Sequence, residues 1–179
     1  MSDLPRVLIP EDDIRRRVKE LARRIEQDYA GAEDIVLLGV LRGAFIFLAD
    51  LARELQIPNR VDFIALSSYE SGASSTGVRL IMDSRINVAG RHVLVVEDIL
   101  DSGRTLAYLL EIFEARHPAS LRSCVLVRKP GQRIEVDVDY LGFDIPDEWV
   151  VGYGLDFGDR FRTLPYIGVV EPSGERTGG

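Results

Sequence analysis

Cysteine, tryptophan and lysine are the scarce residues of this chain: one Cys, one Trp, and only Lys19 and Lys129 among 22 basic residues in a sequence of 179. The lone Cys124 excludes an internal disulfide and fits a reducing compartment. It lies in the apolar run Cys124-Val125-Leu126-Val127, which reads as core. Basic residues are also outnumbered by 29 acids, for a net charge of −7. A broad cationic face for duplex nucleic acid is therefore not expected. No apolar stretch approaches the roughly 20 residues that a bilayer-spanning helix needs. Met1 to Pro10 lack the basic-then-apolar build of a secretory signal. A cytoplasmic protein with neither nucleic-acid nor membrane partners is the expectation.

What is present suffices for one domain over residues 1–179, with 46% hydrophobic residues and a mean hydropathy of +0.02. Glu11 to Tyr29 places Ile14, Val18, Leu21, Ala22 and Ile25 on one helical face, with arginines and acids behind. Ile35 to Val40 predicts a buried strand. Gly43 then opens a helix to Leu55 with Ala44, Phe45, Phe47, Leu48, Leu51 and Leu55 facing inward. Val61 to Ser67 and Val78 to Met82 read as strands around residues 68–77, which are too polar and too small for a core and predict a mobile loop. Arg91 to Val96 is a strand, followed by a loop and a helix to about Arg116. Further strands are expected at Ser123–Val127, Tyr140–Phe143, Trp149–Tyr153 and Tyr166–Val170, before a frayed tail over 171–179. Apolar strands alternating with amphipathic helices indicate an α/β fold with a mainly parallel sheet. Ligands of such sheets sit beyond the carboxyl ends of the strands.

The most informative stretch is Val93 to Thr105, VLVVEDILDSGRT. The apolar run Val93 to Val96 leads to two acids, Glu97 and Asp98, and then to the turn Asp101-Ser102-Gly103-Arg104-Thr105. Successive backbone N–H groups around a glycine, feeding a helix N-terminus, form an anion cradle, and Ser102 and Thr105 add hydroxyls. Neither a Walker loop nor a dinucleotide-binding G-x-G-x-x-G is present. Adjacent carboxylates are costly to bury unpaired. They suit a vicinal diol, or an outer role around Mg²⁺. Neighbours on a strand face opposite ways, so both serve one ligand only if the strand ends before them. A diol acceptor beside a phosphate cradle fits a ribose 5-phosphate. The plainer alternative is a strand-to-helix turn capped by Asp101 or Ser102.

This stretch resembles the phosphoribosyl pyrophosphate motif of type I phosphoribosyltransferases, and within them the hypoxanthine(-guanine) phosphoribosyltransferase family. The resemblance runs from about Ile35 to Val169 and includes Gly39-Val40-Leu41-Arg42-Gly43, Ser67-Ser68-Tyr69, Lys129-Pro130, Gly142 to Glu148, and Val151 to Asp156. It implies a mainly parallel twisted sheet flanked by helices, with a small hood formed by the N- and C-terminal segments. It also implies transfer of ribose 5-phosphate from phosphoribosyl pyrophosphate to N9 of a 6-oxopurine, with Mg²⁺, in a homodimer or homotetramer.

By the same resemblance, Glu97 and Asp98 hold the ribose hydroxyls and lie near metal, while Asp101, Ser102, Gly103, Arg104 and Thr105 cradle the 5′-phosphate. Asp101 also faces N7 of the purine, as general base or hydrogen-bond partner. Leu41, Arg42 and Gly43 form the pyrophosphate loop, in which the family more often carries Lys than Arg after the Leu. Ser68 and Tyr69, in a lid over 68–77, donate to pyrophosphate or help seal the site, and Arg162 reaches the same pyrophosphate. Lys129 meets the 6-oxo group, Trp149 stacks on the base and the Val150 backbone reads its edge. Asp156 holds a second Mg²⁺. In a chain that uses arginine nearly everywhere, a retained lysine suits a place where a compact ammonium fits and a planar guanidinium does not. Arg128 stands beside it as the alternative. Two other readings stay open: a regulator that kept the fold to sense phosphoribosyl pyrophosphate and bind RNA, and the same reaction on adenine or a pyrimidine.

Overall fold

The computed structural model describes residues 4–71, 75–131 and 135–171. Twelve elements follow in order: β1 (Arg6–Ile9), α1 (Glu11–Asp28), β2 (Ile35–Leu41), α2 (Phe45–Glu54), β3 (Asn59–Ser71), β4 (Ser75–Met82), β5 (His92–Leu100), α3 (Arg104–Glu114), β6 (Ser120–Arg128), β7 (Tyr140–Asp144), β8 (Val150–Val151) and β9 (Ile167–Val169). Six strands form one sheet in the order β4-β3-β2-β5-β6-β7. Pairings across it are parallel from β3 to β7, and only β4 runs antiparallel.

Strand alternation divides the core in two. Ile35 and Leu37 of β2 and Leu94 and Val96 of β5 turn to one face, where they meet Ile14, Val18 and Leu21 of α1 and Phe47 and Leu51 of α2. Val36 and Leu38 of β2 and Val93 and Val95 of β5 turn to the other, against Leu106, Leu109 and Phe113 of α3. Each such side chain contributes roughly 1.5–3 kcal/mol on burial. Because both faces are covered, the central strands are continuously apolar, as the sequence has them. Arg17 fixes α1 to the sheet margin by donating from Nη2 to the Leu141 carbonyl at 2.7 Å and from Nε to that of Gly142 at 2.8 Å.

A second sheet of three strands, in the order β1-β9-β8, joins the two ends of the described chain. Short β1 passes from exposed Arg6 and Val7 to buried Ile9 without alternating, and carries too little pattern to be read beforehand. Residues 172–179, most of the expected frayed tail, lie outside the described residues.

Four expectations need correction. Residues 68–77 are mainly a hairpin: Ser68 pairs with Val78, Tyr69 with Gly77, Glu70 with Thr76 and Ser71 with Ser75, and only residues 72–74 lie outside the described chain. A strand pair that leaves the core needs backbone partners but no apolar side chains, so its polar composition resembles a loop. Strand β5 continues four residues past Val96 because β6 goes on pairing with it, up to Leu100 opposite Arg128, after the pairing with β2 has ended at Gly39 opposite Val96. The strand expected at Trp149–Tyr153 is limited to Val150–Val151. Phe45 is 39% exposed, not inward, because it lies off the face shared by Ala44, Leu48, Leu51 and Leu55.

Candidate active site

The parallel sheet ends its strands at one edge, and the first residue beyond each central strand is a candidate site residue. Arg42 follows β2, Asp101 follows β5 and Lys129 follows β6. The edge is tied together where the Lys129 N–H donates to the Leu100 carbonyl at 3.0 Å. Arg42, Asp101 and Lys129 thus lie at the edge where doubly covered sheets bind ligands.

Past β5, a cavity of about 170 Å³ is lined by Glu97, Ile99, Leu100, Asp101, Ser102, Gly103, Thr105 and Leu106. Gly103 is the N-cap of α3, left-handed at φ 79°, and being glycine it supplies no side-chain cap. The opening N–H groups of α3 are therefore available to an anion. Ser102 Oγ accepts only a long contact from the Arg104 N–H at 3.4 Å. Asp101 is exposed, and the N-cap position falls to Gly103 and not to Asp101 or Ser102. Arg104, expected in the cradle, is not among the residues that line this cavity.

Glu97 lines this cavity and is 5% exposed, with Oε2 buried and without a hydrogen-bond partner among the described residues. Burial, reinforced by the neighbouring Asp98 charge, raises its carboxyl well above the usual range. Asp98 points to the other face, as consecutive strand residues must. Its Oδ2 lies where a Cβ on Gly43 would need to be, 1.7 Å away. Desolvation pushes Asp98 up to about 6, while the N–H groups of Asp98 and Ile99 and the charge of Arg162 pull it back. The strand has not ended at these acids, contrary to the condition set for both to serve one ligand. They flank the strand instead, one toward the cradle and one toward the pyrophosphate loop.

Leu41 to Gly43 run from the end of β2, and the Leu41–Arg42 peptide is cis. Gly154 backs this loop: a Cβ there would fall 1.9 Å from the Gly43 carbonyl oxygen, at a φ of +105°. Arg162 is held by the Gly154 carbonyl at 2.8 Å and by Asp156 Oδ1 at 2.8 Å. Arg42 reaches Asp159 at 2.6 Å. Sequence reading missed Asp159, which lies 117 residues from Arg42 and carries no local signal. The backbones of Ser68 and Tyr69 lie in the hairpin; the contacts expected of their side chains lie outside the described residues.

The third part lies past β6. Lys129 is buried, with Nζ 3.4 Å from Asp147 and 5.6 Å from the centroid of the Trp149 ring. Arg128 instead donates from Nε to Asp144 at 2.7 Å, away from that group. Trp149 is 58% exposed and meets Phe157 edge to face, with centroids 6.0 Å apart. Its open face is a platform for a flat ring. Phe157 was also missed, although an aromatic directly after the site acid Asp156 was a usable hint. Val150 lies on β8, an edge strand, so one side of its backbone is not paired within its sheet.

Among the described residues no three His, Cys, Asp or Glu side chains are grouped to hold a metal. The buried Glu97 Oε2, which has no hydrogen-bond partner among the described residues, still fits Mg²⁺. That ion commonly takes one or two protein carboxylates and completes its shell from phosphates and water.

Comparison with known proteins says what the chain as a whole is similar to. A family described as the phosphoribosyl transferase domain matches residues 11–158. The hypoxanthine phosphoribosyltransferase of Escherichia coli is 49% identical over 173 residues, covering 95% of this chain and 97% of its own. The hypoxanthine-guanine phosphoribosyltransferase of Mycobacterium avium is 48% identical over 178 residues, 96% of this chain and 88% of its own. The Trypanosoma cruzi hypoxanthine phosphoribosyltransferase, solved in complex with the product IMP, superposes with a TM-score of 0.89 at 42% identity, over 96% of this chain and 97% of its own.

Proposed function

The chain belongs to the phosphoribosyl transferase family, and on that premise we propose that it works in purine salvage, moving ribose 5-phosphate from phosphoribosyl pyrophosphate to N9 of hypoxanthine or guanine. The products are IMP or GMP and pyrophosphate. The observation that carries this reading is the row Arg42, Asp101 and Lys129 past adjacent parallel strands, with Trp149 beside Lys129. It offers one anion site on each side of a ribose and a base platform at the third position.

The 5′-phosphate sits on the α3 N-terminus between Ser102 and Thr105, the ribose hydroxyls face Glu97 on that side of β5, and Asp98 faces the pyrophosphate loop on the other. Pyrophosphate lies against Arg42, the Gly43 backbone and Arg162. The purine stacks on Trp149, accepts at its 6-oxo group from Lys129 and pairs its edge with the Val150 backbone. As the bond from C1′ to pyrophosphate breaks and the bond to N9 forms, C1′ gains oxocarbenium character, as in glycoside cleavage. Asp101 takes the proton that leaves N7. Ser68 and Tyr69, on the hairpin of β3 and β4, cover the reacting centre and keep water from it. Glu97, Asp98 and Asp156 would hold Mg²⁺, which neutralises charge on the leaving pyrophosphate when bound. A homodimer or homotetramer in the cytoplasm completes the proposal.

The test is formation of IMP from hypoxanthine, phosphoribosyl pyrophosphate and Mg²⁺, abolished by chelation. Asp101→Asn is expected to lower turnover by about 10²–10⁴-fold, the usual scale for a general base, while largely sparing phosphoribosyl pyrophosphate binding. Near-native turnover in that variant would remove Asp101 from the mechanism.

A further inference from the structure

Arg42 and Arg162 approach each other at the pyrophosphate loop, and one carboxylate oxygen lies between them. Asp159 Oδ1 is 2.6 Å from Nη2 of Arg42 and 3.2 Å from Nη2 of Arg162. Two guanidinium groups of like charge share a place only with an anion between them. In the loaded site that anion is pyrophosphate; in the free site it is this side chain.

The two pairs are not equivalent. Arg162 is 18% exposed and further fixed by Asp156 and the Gly154 carbonyl. The Arg42 and Asp159 side chains are 67% and 65% exposed, so solvent screens their contact and it is cheap to break. Asp159 itself stands on a tight turn closed between Phe157 and Arg160. Its N–H donates to Asp156 Oδ2 at 2.8 Å. The turn therefore holds the backbone while the carboxylate can swing away.

We propose that Asp159 is a displaceable counter-anion: it positions Arg42 and Arg162 in the free enzyme, is displaced by pyrophosphate, and so sets the affinity for both diphosphate-bearing ligands. This rests on the pyrophosphate assignment above. It makes Asp159 a positioning residue, not a catalytic one.

Asp159→Asn is the informative variant, because Asn tolerates the left-handed φ of 60° at this position as Asp does. It removes charge and keeps shape; Asp159→Glu keeps charge. Steady-state kinetics would be combined with calorimetric binding of magnesium pyrophosphate to wild type and both variants. The expected result for Asp159→Asn is a roughly two- to fivefold fall in the KM for phosphoribosyl pyrophosphate and in the pyrophosphate Kd. The hypoxanthine KM should stay fixed, and the effect should shrink at high salt. Asp159→Glu should follow wild type. Unchanged or weakened pyrophosphate binding in Asp159→Asn would overturn the proposal, as would identical behaviour of the two variants. A wild-type protein that neither binds pyrophosphate nor makes IMP would instead overturn the functional reading, and the proposal with it.

Discussion

The Asp98 carboxylate fills the space in which Gly43 would carry a side chain: a Cβ built on Gly43 falls 1.7 Å from Oδ2. Gly154 closes on the same loop from behind, 1.9 Å from a built Cβ to the Gly43 carbonyl oxygen. Asp98 and the loop from Leu41 to Gly43 are thus in direct contact because residue 43 is glycine.

Gly43→Ala must therefore move either the acid or the loop. An ångström of misplacement at a reacting centre costs about 10²-fold. We expect a fall of that order in kcat/KM for phosphoribosyl pyrophosphate, with far-ultraviolet dichroism unchanged. Activity within a few-fold of wild type would mean that the contact relaxes without consequence.

The pH dependence of the free enzyme follows from the same acid. With Asp98 at about 6 when folded and 3.8 as its ordinary value, the folded state holds more protons between those limits. Stability from this group is present at low pH and is lost as pH rises through 6. Glu97, also raised, acts in the same direction. Asp98→Asn should therefore be more stable than wild type at pH 8, on the order of 1–3 kcal/mol, and lose that advantage near pH 4. Thermal melts without ligand across pH 4–8 measure this; parallel curves for the two proteins would contradict it.

How much of this was legible beforehand depended on range. The α1 and α3 faces and the central strands are local patterns, and Ile14, Val18, Leu21, Leu106 and Phe113 are buried as their spacing requires. The end of β5 was not local. Two acids after Val96 look like a strand end, and only the continued pairing with β6 carries the strand to Leu100. The cradle could be read from one stretch of sequence. Asp159 and Asp147, which hold the site cations Arg42 and Lys129, could not, because nothing short of the fold brings them together.

Trp149→Ala should raise the purine KM by about 5- to 100-fold, the equivalent of 1–3 kcal/mol of stacking. Since Trp149 is 58% exposed, thermal stability should change little. A large drop in Tm with equal effects on both substrates would make it a packing residue instead.

If Lys129 is the proposed donor to the 6-oxo group, Lys129→Gln should cost about 10-fold or more in purine KM. Arg128→Ala should leave it unchanged, because Arg128 is engaged with Asp144. Reversed outcomes would assign the purine contact to Arg128.

The central claim is that this site joins phosphoribosyl pyrophosphate to a 6-oxopurine. Pyrophosphate release with phosphoribosyl pyrophosphate and Mg²⁺, compared across hypoxanthine, guanine, xanthine, adenine and uracil, tests it most directly. A site built to hydrogen-bond a substrate group rejects the analogue lacking it by about 10⁴-fold. Release should be fast with hypoxanthine or guanine and near background with adenine and uracil. Turnover of adenine or uracil at rates comparable to hypoxanthine would contradict the account.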